Sequence, residues 1–232
     1  FLLGAALADA VGAPGAPDRA GLLAGLRSLP DAMAQVFAGR ERIADLAIRY
    51  APGRRYWAVV GNGANLVAAR EIRIKLSELC YKAIAADATE DKKHIDLSSE
   101  PLILVCANGL SGSTIDDVAK EVAIFRAHQA APLVVTDAPW RYPEALDVVE
   151  VPVVHPRLAF VLATMVGHLF GYEAALAIDA QAHPLREAHA AIEQAAAGEM
   201  GGSFDEAAGG PGGDALFDAV RERLLPCAGR FH

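Results

Sequence analysis

Lys75 and Glu78 stand three residues apart, and His94 follows within the same short stretch, so an amine, a carboxylate and an imidazole fall close together in the chain. A carboxylate held beside a cation and partly screened from water can take a proton from carbon and return it to a neighbouring atom. An imidazole changes charge near neutral pH and can move a proton in its turn. If residues 66–81 are helical, Glu71, Lys75, Glu78 and Lys82 share one face, one step round from an apolar stripe of Ile72, Leu76, Leu79 and Ala83. The same spacing also describes a solvated face laced with ion pairs, each worth roughly a few tenths of a kcal/mol. His94, in the charged run from Glu90, also reads as an ordinary loop histidine.

Two glycine-containing turns form a second group of candidates. Gly61, Asn62 and Gly63 follow a strand-like run at 56–60, and Gly109, Ser111, Gly112, Ser113 and Thr114 follow another at 101–106. Open α/β sheets bind ligands at the C-terminal ends of their strands, where such turns lie. Backbone N–H groups at the next helix start, with the hydroxyls of Ser111, Ser113 and Thr114, would cradle a phosphate. Equally, Ser113 or Thr114 would cap that helix, with Asp116 or Asp117 favouring its positive end. The first turn has a plain reading as well, as a close packing point of strand on helix.

The elements that must position these groups are read from periodicity. Residues 1–17 read as the end of an upstream domain and a breaker-rich linker, and residues 18–52 as a helical lead-in, a hairpin stopped at Pro52-Gly53. Strands are expected at 56–60, 84–86, 101–106, 132–136 and 148–154, and helices at 66–81, 115–128, 157–178 (with a break at Gly167 or Gly171) and 184–196. Alternating strands and helices imply parallel strands with right-handed crossovers, so the fold class is α/β: a doubly wound, flavodoxin-like parallel sheet flanked by helices, over residues 53–196. Residues 87–99 read as a polar loop with too little apolar surface to pack on its own core. Residues 197–232 read as a Gly-rich linker and a short amphipathic helix at 216–225.

Composition limits the function classes. A chain of 232 residues, 53% hydrophobic, can bury a sizeable core. Its formal net charge of −8 argues against a nucleic-acid surface, which needs clustered Lys and Arg. No apolar run of membrane-spanning length is free of charge or Pro, so no membrane is expected. The apolar start at Phe1 lacks the basic region of a signal peptide. Cys80, Cys106 and Cys227 are scattered, and they read as thiols of a reducing, cytoplasmic compartment.

The run Lys75, Leu76, Glu78, Tyr81, with His94 after it, resembles the catalytic helix and loop of the second sugar-isomerase (SIS) domain of glucosamine-6-phosphate synthase. The turn Gly61-Asn62-Gly63 is similar to that family's Gly-x-Gly turn at the same junction. The run 109–114 resembles the Ser-x-Ser-Gly-x-Thr phosphate loop of SIS domains, with Gly109 in place of the first Ser. The likeness covers about residues 20–195.

The resemblance implies an SIS domain over 53–196 and an enzyme that transfers glutamine-derived ammonia to fructose 6-phosphate and isomerises the product. Glu78 would move the proton between C1 and C2, Lys75 would stand beside it, and His94 would open the sugar ring, reaching the pocket of a partner subunit. Gly61, Asn62, Gly63, Ser111, Ser113 and Thr114 would bind the phosphosugar. It implies no cofactor, a homodimer, and upstream glutaminase and first SIS domains. Two departures stand out. That family's second domain usually lacks the phosphate loop, and its tail lysine, which forms a Schiff base with the sugar, is replaced by His189, which cannot. A non-catalytic phosphosugar-binding or dimerisation module is therefore the alternative.

Overall fold

A computed structural model describes residues 1–13, 18–94, 97–199 and the single positions 218 and 221. The chain divides into two compact units, Phe1–Ala175 and Leu176–His232. The expected linker and C-terminal helix at 197–232 lie almost wholly outside the described residues.

The first unit is built on five parallel strands: β1 (Trp57–Gly61), β2 (Ile84–Asp87), β3 (Leu102–Cys106), β4 (Ala131–Thr136) and β5 (Asp147–Glu150). Their order is β2-β1-β3-β4-β5. This is the doubly wound, flavodoxin-like arrangement, with its topological switch point between β1 and β3. The central strands β1, β3 and β4 are buried along their whole length, which is why they read as unbroken apolar runs. The edge strands β2 and β5 are only partly covered, and β5 stops at Glu150, short of the expected 154.

Helices cover both faces. Ile103 and Val105 of β3 pack with Val118, Val122 and Phe125 of a helix over Gly112–Ala127, each such side chain contributing about 1.5–3 kcal/mol by burial. On the other face lies the helix Ala64–Cys80, which delivers Ile72 and Leu76 to a long helix, Ala159–Glu199. In chain order the helices are α1 (Leu2–Ala10), α2 (Arg19–Ala38), α3 (Arg40–Tyr50), α4 (Ala64–Cys80), α5 (Thr89–His94), α6 (Gly112–Ala127) and α7 (Ala159–Glu199). The helical lead-in is thus α2 and α3, divided by Gly39, and Pro30 does not interrupt α2.

Two expectations are corrected. The separate helices at 157–178 and 184–196 are one helix, α7, which runs through Gly167, Gly171 and Pro184. A Cβ at Gly167 would lie 2.7 Å from Ile72 Cγ2, and one at Gly171 3.0 Å from Leu76 Cδ2. The glycines bring α7 close to α4 rather than breaking it. Ala159–Ala190, its apolar run interrupted by Glu173, Asp179 and Pro184, has the length and mean hydropathy (1.5) of a membrane-crossing helix, and in the first unit its residues Leu162, Val166 and Phe170 are buried in the core. Secondly, the described residues of 87–99 are not a loop lacking core contacts. Thr89–His94 form α5 and Leu97–Ser99 a 3₁₀ turn, with α5 packed on α6 and Leu97 inside the α6-side core.

Candidate functional site

Both glycine turns lie at the C-terminal edge of the sheet, either side of the switch point. Gly61 closes β1, and a Cβ there would sit 2.5 Å from the backbone oxygen of Asn65, so no other residue fits the reversal into α4. Gly63 has φ +58 and ψ −126, a conformation open in practice to glycine alone. Asn62 faces inward: its Nδ2 donates to Thr89 Oγ1 at 2.7 Å, and the Thr89 N–H donates back to Asn62 Oδ1 at 3.3 Å. The turn that sequence read as ligand-binding is therefore also a strut that holds the start of α5.

The second turn differs from expectation in its helix boundary. Helix α6 begins at Gly112 rather than near 115, so its N-cap is Ser111, and Ser113 and Thr114 belong to its first turn. Ser111 makes no side-chain capping bond, and the hydroxyls of Ser111, Ser113 and Thr114 are exposed. Gly109 and Gly112 both have positive φ, +63 and +59. A Cβ at Gly109 would lie 2.8 Å from that of Ala159, which accounts for glycine where the SIS pattern has serine.

Three residues that sequence reading missed complete this edge. Asn65 Nδ2 donates to the Asn108 carbonyl at 2.9 Å and ties the two turns across the switch point. Asn65 and Asn108 are 2% and 3% exposed, and among the described residues neither side-chain polar atom of Asn108 has a hydrogen-bond partner. Asp137, just past β4, accepts the Gly109 N–H with both carboxylate oxygens, at 3.0 and 3.1 Å. The available signal was position: Asn108 and Asp137 stand just past strand ends, and Asn65 in the first turn of the helix after β1, all at the sheet's C-terminal edge. A cleft of about 350 Å³ opens here, lined by Asn62, Glu90, Thr114, Asp117, Lys120, Glu121 and Ile124.

Lys75 and Glu78 form the expected pair, with Lys75 Nζ donating to Glu78 Oε2 at 2.8 Å. That bond and the carboxylate's charge raise the Lys75 pKa, so the amine stays charged. The stripe does not continue as drawn from spacing. Glu71 leans to His168 Nε2 at 3.4 Å, while Lys82 turns back to donate to the Arg54 carbonyl and lies over the Trp57 ring. Tyr81 ends α4 in the left-handed conformation, and His94 is the last residue of α5.

The pair and the turns are not brought together within one chain. Glu78 is fourteen residues beyond Ala64 on α4, or about 21 Å at 1.5 Å per residue. Its side chain is 58% exposed and that of Lys75 41%, so the desolvation expected around Glu78 is absent here. Among the described residues no group of three or more His, Cys, Asp or Glu could hold a metal ion.

No family model matches the chain, and no curated protein matches it. Solved structures do. The C-terminal domain of glucosamine-fructose-6-phosphate aminotransferase from Francisella tularensis superposes with a TM-score of 0.60 at 17% identity, covering 66% of this chain and 44% of that one. Tagatose-6-phosphate ketose/aldose isomerase from Escherichia coli gives 0.52 at 19%, covering 65% of this chain and 43% of that one. The chain has the fold of the sugar-isomerase domains. A Salmonella typhimurium LT2 protein assigned to sugar binding shares it as well, with a TM-score of 0.55 at 13% identity, over 75% of this chain and 59% of that one. This sugar-isomerase fold therefore spans roughly half the length of the solved structures it matches.

Proposed function

We propose that this chain is the sugar-isomerase part of a glucosamine-6-phosphate synthase-like enzyme, which converts fructose 6-phosphate and glutamine-derived ammonia to glucosamine 6-phosphate. The observation that carries the reading is the Lys75–Glu78 pair at 2.8 Å, on the helix that leaves the first turn of a sugar-isomerase sheet. Glu78 takes the proton from one sugar carbon and returns it to the next. Lys75, kept charged by the pair, holds the carboxylate in place. His94 opens the sugar ring, and the 109–114 turn holds the phosphate.

Glu78 needs a drier setting than a single chain supplies, because it stands in solvent. A second copy of the chain, together with upstream glutaminase and first SIS domains, would provide that setting, and a homodimer with a shared site follows from this. Buried Cys80 and Cys106 thiols suit a cytoplasmic protein. His189, which pairs with Glu193 at 3.6 Å, has no amine for Schiff-base chemistry, so ring handling falls to His94 alone.

The second reading, a phosphosugar-binding module without catalysis, is favoured by the exposure of Glu78. Exchange of solvent deuterium into C1 or C2 of the phosphosugar by the complete protein separates the two. Exchange that disappears in Glu78→Gln supports the enzyme. Tight phosphosugar binding with no exchange supports the module.

A further inference from the structure

We infer that Asp137 is a specificity-determining residue of the crevice: its carboxylate holds the 109–114 turn in shape and, by its charge, opposes a dianionic ligand there. The inference rests on reading that turn as the phosphate seat. A turn built to cradle phosphate offers its backbone N–H groups to the anion. Here the first of them, on Gly109, already donates to both oxygens of Asp137 at 3.0 and 3.1 Å.

An internal carboxylate thus takes up the N–H that an external anion seated at Gly109 would need. Asp137 is half-buried, at the end of a fully buried strand, so its charge is screened less than that of a surface acid. Two cations on α6 and on the 139–141 turn packed against it have acidic partners of their own. Lys120 on α6 is paired with Asp117 at 3.3 Å, and Arg141, four residues after Asp137, is paired with Asp116.

The consequence concerns ligand class. Free phosphate, which brings no sugar hydroxyls, is held weakly. A phosphosugar is accepted because its hydroxyls bring added bonds, so affinity comes from the sugar as well as from the phosphate. Asp137→Asn keeps an oxygen that can accept the Gly109 N–H and removes only the charge. A like charge roughly 10 Å away near a protein surface repels enough for about a tenfold effect.

The test is calorimetric titration of the full chain, as wild type, Asp137→Asn and Asp137→Ser, with inorganic phosphate and with fructose 6-phosphate, each variant's folding being checked by thermal melting. The inference expects phosphate to bind about tenfold tighter once the charge is removed, with a smaller gain for fructose 6-phosphate. Asp137→Ser gives the same sign if the Asn variant does not fold. Wild-type binding that is sensitive to Thr114→Ala but unchanged or weakened by loss of the Asp137 charge overturns the inference alone. Phosphate binding absent from all three proteins, or insensitive to Thr114→Ala, overturns the phosphate reading of the turn and this inference with it.

Discussion

Asn62 and Thr89 are bonded to each other twice, side chain to side chain at 2.7 Å and backbone N–H to amide oxygen at 3.3 Å. This reciprocal pair joins the turn after β1 to the first residue of α5, the helix that ends at His94. Thr89 is fully buried, so losing its partner strands polar atoms away from water. Asn62→Ala should destabilise the protein by about 1–3 kcal/mol in urea unfolding. Thr89→Val should cost a similar amount, and the double variant less than the sum of the two. Strict additivity would mean that the residues act separately.

Glu78→Gln should separate chemistry from stability. In the complete protein it should lower isomerisation about 10² to 10⁴-fold by removing the proton acceptor. The unfolding midpoint should hardly move, because the Lys75–Glu78 pair is largely exposed and solvent screens it. Full activity in the variant would exclude Glu78 as the base.

The approach of α7 to α4 depends on Gly167. A methyl group there would press on Ile72, which is fully buried between helix and sheet. Gly167→Ala should cost about 1–3 kcal/mol by overpacking, against the gain in helix propensity that alanine normally brings. A melting temperature at or above that of wild type would show that Ile72 yields without strain.

Alkaline pH should weaken the fold through buried acids. Burial pushes the Cys106 thiol from its ordinary 9.0 up to about 12 and the Cys80 thiol up to about 11. Burial, with the Asp137 charge adding to it, takes Tyr142 from 10.0 up to about 12. Each group holds its proton more tightly folded than unfolded. Its contribution is therefore complete below the ordinary value and lost as pH rises through the folded one. Unfolding free energy measured by denaturant should fall from about pH 9 towards 12, and Cys106→Val should make that fall shallower. An identical decline in the variant would assign the loss to other groups.

Much of the fold was legible because its signals are local. Strands β1, β3 and β4 read as continuous apolar runs since both of their faces are covered. The misreadings came where packing overrode local preference. Gly167, Gly171 and Pro184 looked like breaks, yet α7 continues, with Ile72 and Leu76 filling the space that the two glycines leave. Residues 87–99 looked too polar to pack, but Thr89 and Leu97 are buried, and burying a few side chains is enough to order a short segment.

The candidate site divides along the same line. The meeting of Lys75 with Glu78 was determined by sequence alone, because residues three apart on a helix are neighbours whatever the rest of the chain does. The glycines at 61 and 63 likewise announced a tight turn. Only tertiary structure decided that Asp137 would close on Gly109, that Asn65 would reach Asn108, and that Asn62 would face Thr89. Those partners lie 27 to 43 residues apart. They meet because parallel pairing sets the C-terminal ends of β2, β1, β3 and β4 side by side, a register fixed by the burial of the central strands.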